Sequence, residues 1–110
     1  SQVRDFIGGI YTQQSSTGDI ATFLSGDGVG PTASRIAGGV APAARASDAG
    51  SEFLRYDDDL VIVQPSGAQS SVRVEDLDGD YRNGRYSYLG SGFDPGSPAG
   101  DDGDDDDDAK

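Results

Sequence analysis

Three aspartates alternate at the end of the chain's densest apolar stretch. Asp76, Asp78 and Asp80 read D-x-D-x-D, the opening of a calcium-binding loop. Hard cations take oxygen ligands, and an EF-hand loop adds glycine at its sixth position and a bidentate glutamate at its twelfth. Tyr81 and Ser87 occupy those positions here, so the EF-hand is rejected. A looser, weak calcium site built on Asp76, Asp78 and Asp80 is the alternative to a plain strand end followed by an Asp-Gly turn. Calcium is the one cofactor this reading admits.

Asp57, Asp58 and Asp59 set three carboxylates side by side. Neighbouring like charges raise one another's pKa, as acid/base sites require. Aspartate is also a preferred turn residue, and turn chemistry accounts for the run without any reaction. Arg55 and Arg73 are expected to offset part of this charge across a sheet.

Tyr81, Arg82, Asn83, Arg85, Tyr86 and Tyr88 form the one cluster of aromatic and cationic side chains. Tyrosine and arginine are frequent anchors of protein interfaces. Tyr81, Arg82, Arg85, Tyr86 and Tyr88 are therefore the candidate partner-binding residues. The competing reading is a return segment whose tyrosines cover the sheet edge.

Gly28-Val29-Gly30-Pro31-Thr32-Ala33 matches G-x-G-x-x-A, with Asp48 twenty residues past Gly28. The dinucleotide fingerprint also demands a preceding strand and a second βαβ unit. Neither is evident, so these glycines are assigned to the turn into a helix.

The chain contains no His and no Cys. Ser–His–Asp and Cys–His catalysis are thereby excluded, and zinc, haem and iron–sulfur sites lose their usual ligands. The single lysine is Lys110, the last residue. Carboxylate acid/base chemistry remains, but no carboxylate has the paired setting that tunes acids, and the chain is read as a non-enzyme.

These residues need elements to hold them. The 110 residues suffice for one small domain, and Leu, Ile, Val and Phe number 21, near the lower limit for a folded charged chain. Net charge is −12, half of it carried by residues 101–110. The acidic body should repel phosphate backbones, which argues against nucleic-acid partners. No run of 18 apolar residues is present to span a membrane.

Val3, Phe6, Ile7, Ile10 and Tyr11 mark one helical face, and Ala33, Ile36, Ala37, Val40 and Ala41 mark a second after Pro31. Residues 12–18 and 42–51 read as polar loops, and Ile20–Leu24 as a short apolar run. Strands are expected near 52–56, 60–64 and 71–77, with a further edge strand at Arg85–Leu89. Val72 and Val74 face one way and Arg73 and Glu75 the other, the pattern of a half-solvated sheet. The expected fold is α+β. One or two short helices pack on one face of a three- to four-stranded antiparallel meander over residues 1–93. Residues 94–110 form a Gly/Pro linker and a disordered acidic C-terminal tail.

The stretches FLRYDDDLVIV (53–63) and SVRVEDLDGDYRNGRY (71–86) resemble the DUF4247 family of actinobacteria and bacilli. The likeness covers about residues 3–93 and is strongest over 53–86. It implies a domain that follows an N-terminal hydrophobic or lipoprotein-type segment, hence a place outside the cytoplasmic membrane. A start at Ser1 rather than Met fits such a lost anchor, which would be the chain's sole link to the membrane. The resemblance further implies an accessory role in the cell envelope, with an envelope or membrane protein as partner. It supplies no catalytic residues.

Overall fold

The computed structural model describes residues 1–78 and 81–95. Helix α1 runs Gln2–Ile10, begun by Ser1, whose Oγ accepts from the Arg4 backbone N–H at 3.2 Å. Such a cap satisfies one of the helix's orphan donors. Val3 and Ile7 of α1 are buried. Helix α2, Val29–Gly39, buries Thr32, Ala33 and Ile36, and Val40 ends it in extended conformation.

Among the described residues, six antiparallel strands form one sheet: β1 (Thr12–Thr17), β2 (Ile20–Ser25), β3 (Ala44–Asp48), β4 (Ser51–Arg55), β5 (Asp59–Ser66) and β6 (Gln69–Asp76). Their spatial order is β1-β2-β6-β5-β4-β3. The chain thus runs from the β1–β2 hairpin over α2 to the far edge and returns strand by strand until β6 meets β2.

This corrects the expectation of a three- to four-stranded meander. Residues 12–17, read as loop, are β1, in which every residue is exposed. A strand with no buried side chain has no apolar alternation to reveal it; pairing with β2 imposes its shape. The expected loop 42–51 contains β3, whose inward residues are alanines, poor strand formers by composition. Arg85–Leu89 adds no strand; Ser87–Leu89 is a 3₁₀ turn. The expected acidic tail falls on residues outside the described ones.

Both faces of the sheet are used. Under the helices, Phe23, Leu54, Val61, Val63, Val72 and Val74 pack with Val3, Ile7, Ala33 and Ile36. On the opposite face Phe53, Leu60 and Ile62 meet Tyr81, Tyr86 and Phe93 of the C-terminal segment. That face is therefore covered over β3 to β5, where the half-solvated reading left it open. A small hydroxyl network joins α2 to the sheet: Ser25 and Ser70 both reach Thr32 Oγ1, at 2.7 and 2.9 Å, with all three residues fully buried.

Candidate functional site

The Tyr/Arg cluster lies on the C-terminal segment that covers β3 to β5. Two of its members point inward. Tyr81 is buried, and its hydroxyl donates to the Asp94 carbonyl at 2.9 Å. Tyr86 is buried against Phe53, with ring centroids 6.2 Å apart, and donates to Glu75 Oε1 at 3.0 Å. Glu75 is itself buried, and its Oε2 accepts from Arg73 Nε at 2.8 Å. Burial of a carboxylate is costly unless its oxygens are hydrogen-bonded, and both Glu75 oxygens are.

Further fastenings hold the segment down. Buried Arg55 donates through Nε to the Gly92 carbonyl, and Phe93 inserts its ring into the second core at 2% exposure. Gly92 sits so close to β3 that an added Cβ would stand 2.7 Å from the Ala44 Cβ. Only glycine allows this approach.

Arg82, Arg85 and Tyr88 remain at the surface. Arg82 Nε pairs with Asp78 Oδ1 at 2.6 Å, and the Arg82 hydrogen bond and charge hold the Asp78 carboxyl below its ordinary range. Tyr88 is 63% exposed, the one large hydrophobic residue so placed among the described residues. Slight burial and the charge and hydrogen-bonded carboxylate of Asp48 raise its pKa. Tyr88, Arg85, Arg73 and Gln64 rim a hollow of about 260 Å³ that also involves Phe53, Ile62 and Tyr86. Phe53, Ile62 and Tyr86 give it some apolar surface, and Gln64, Arg73 and Arg85 make the rest of its lining polar and cationic.

Burial pushes the Tyr86 hydroxyl up to about 12, with Glu75's charge and hydrogen bond adding to the shift. Tyr56, buried on the helical side, is likewise raised to about 12 by burial, and donates to the Val40 carbonyl at 2.8 Å.

The carboxylate candidates gather around a different hollow, which Arg82 reaches from the cluster and Arg85 and Tyr88 do not line. Asp76 Oδ1 accepts from the Asp78 backbone N–H at 3.1 Å, a turn-closing bond, while Asp78 is committed to Arg82. Asp80 lies outside the described residues. Asp19, Asp57, Asp58, Asp59, Asp76 and Asp78 surround a hollow of about 620 Å³ with Arg4 and Arg82. Among the described residues no three carboxylates have the arrangement of a metal ligand set. Asp59 is buried, bonded by the Ser1 hydroxyl, and 3.9 Å from Arg4. Arg4, which sequence reasoning did not assign here, thus stands beside the Asp57–Asp59 turn, while Arg73 turns to Glu75. Gln64 and the Glu75–Tyr86 bond were also missed. The outward position of Glu75 in β6, opposite the tyrosine-rich segment, was the available signal.

Among the described residues, a six-stranded antiparallel sheet with two helices on one face and a tyrosine-fastened segment on the other defines an α+β domain. DUF4247, described as a domain of unknown function, matches residues 1–104, and the chain belongs to that family. It is similar to uncharacterized proteins of Mycobacterium tuberculosis from strain CDC 1551 / Oshkosh and strain ATCC 25618 / H37Rv. Each is 37% identical over 99 residues, covering 89% of this chain and 69% of the relative. No solved structure matches the chain.

Proposed function

We propose that this protein is a non-enzymatic interaction domain that works outside the cytoplasmic membrane and holds an envelope or membrane protein through Arg82, Arg85 and Tyr88. The carrying observation is Tyr88, exposed beside Arg85 on the rim of a hollow floored by Phe53 and Ile62. Tyr81 and Tyr86 support the reading from inside. They pin the segment, so little side-chain and backbone freedom is lost when a partner docks, and preorganisation favours affinity. The location rests on the arrangement that the family resemblance implies.

In-cell crosslinking of the protein expressed from its own gene tests this, with adducts identified by mass spectrometry. A reproducible membrane-protein adduct is expected, lost on combined Arg85→Ala and Tyr88→Ala substitution and kept when residues 101–110 are deleted. An adduct of undiminished yield in the double variant would move the interface elsewhere.

A further inference from the structure

The opposite edge of the sheet has its own opening. Among the described residues, strand β1 pairs with β2 alone, so its outer backbone donors and acceptors have no described strand beside them. Its sequence, TQQSST, has no charge and no proline, and all six residues are exposed. Natural edges are usually blunted by charge, proline, a bulge or a covering segment. Among the described residues, the one such feature on β1 is a bulge between Gln13 and Ser15.

The bulge sets which side chains turn toward the helices. Gln13 and Ser16 stand opposite Phe23 and Ala21, both members of the helix-side core. Between them and α1 runs a groove of about 520 Å³, lined by Gln13, Ser16, Ala21 and Phe23 of the strands and by Arg4, Asp5, Gly8 and Gly9 of the helix, with the charged pair at its α1 start. A Cβ on Gly9 would meet nothing within 4 Å. An open strand edge flanked by a groove toward a helix is the geometry of strand addition. Main-chain bonds to the edge supply affinity, and alternate side chains entering the groove supply selectivity.

Charge selects the occupant. β1 runs into the Gly18–Asp19 turn, which borders the hollow of six aspartates offset by Arg4 and Arg82. A second copy is acidic as well, with 13 acids against seven arginines over residues 1–100 alone, and like charges repel. We infer that β1 and the α1 groove receive an extended segment of another polypeptide, with apolar side chains at alternate positions and lysine or arginine where it passes Asp19. This surface is separate from Tyr88 and stands without the proposal made for it.

The probe is a fluorescein-labelled peptide, Val-Thr-Val-Thr-Lys-Lys, matched to the six residues of β1 and followed by anisotropy against the full chain. Saturable binding that weakens with added salt is expected. Gly9→Leu should fill the groove and weaken binding about tenfold or more, at an unchanged circular dichroism spectrum. Ser16→Leu fills it from the exposed strand side and serves if the helix variant misfolds. Tyr88→Ala should bind like wild type, which separates this outcome from the fate of the Tyr88 surface. No binding by wild type, equal binding by the groove-filling variant, or equal binding of the peptide with glutamates for lysines would overturn the inference. So would sedimentation showing a dimer whose Thr12–Thr17 amides gain protection as protein concentration rises, because the occupant would then be a second copy.

Discussion

The two halves of the sheet's second face are finished in different ways. Over β3, β4 and β5, the segment from Tyr81 to Asp94 lies on Phe53, Leu60 and Ile62 and is fastened by Tyr81, Tyr86, Arg55 and Phe93. Over β2 and β1 the same face carries Ile20, Thr22 and Leu24 beside Thr12, Ser15 and Thr17, with a Ser15–Thr22 hydroxyl bond at 2.6 Å. The edges differ in parallel. β3 carries Arg45, paired with Glu52, and Asp48, whereas β1 has no charge at all. One half of this face is covered by its own chain, and the other half, among the described residues, is left uncovered beside the open β1 edge.

The sharpest way to break this contrast is to remove the plug. Phe93→Ala should cost about 3–5 kcal/mol, the range for a fully buried aromatic, read as a lower urea midpoint. Thr17→Ala, on the open half, should stay within about 0.5 kcal/mol of wild type. Comparable losses at both positions would erase the distinction.

Tyr86→Phe keeps the ring against Phe53 but leaves Glu75 Oε1 without its donor. An abandoned buried acceptor costs about 1–3 kcal/mol, measurable by the same titration at pH 7. The variant also sharpens a pH dependence. Tyr56 and Tyr86 hold their protons to about 12 in the fold, whereas unfolded tyrosine ionises near 10. Between these values the unfolded chain binds fewer protons, so stability falls as pH rises from about 10 to about 12 and is untouched by these groups below that window. Denaturation midpoints across this range should fall less steeply in Tyr86→Phe.

The smallest expected effect is a gain. The β3–β4 turn places Ala49 at φ 50° and Gly50 at φ 84°. Alanine in the left-handed region costs about 1–2 kcal/mol, so Ala49→Gly should raise thermal stability, by about 1 kcal/mol at most after the added freedom of the unfolded chain is counted. No gain would mean that this hairpin sets no limit on the closed half.

The legible parts of the fold were those with apolar periodicity. The helical faces of Val3–Ile7 and Ala33–Ile36, and the strands holding Phe53, Leu60–Val63 and Val72–Val74, declare themselves because burial selects their spacing. β1 and β3 did not, since Thr, Gln, Ser and Ala at an edge answer to pairing with a neighbour and leave no hydrophobic trace. The Tyr81–Tyr88 cluster was visible as a composition. Its division into buried Tyr81 and Tyr86 and exposed Tyr88 was not, because it depends on where Glu75 and Phe53 lie across the sheet. The groove beside α1 had a trace in Gly8-Gly9, which reads on its own as a weakened helix; its meaning appears only when β1 is known to be a strand.

Hydrogen exchange read by mass spectrometry tests the central contrast directly, by comparing the two hairpins at the sheet's edges in the free protein. Both β1 and β3 are terminal strands, so any difference reports what covers them. Amides of Thr12–Thr17 should exchange well before those of Ala44–Asp48, and Phe93→Ala should abolish the lag of the second group while leaving the first unchanged. Equal protection of the two edges in the wild-type protein would contradict the contrast.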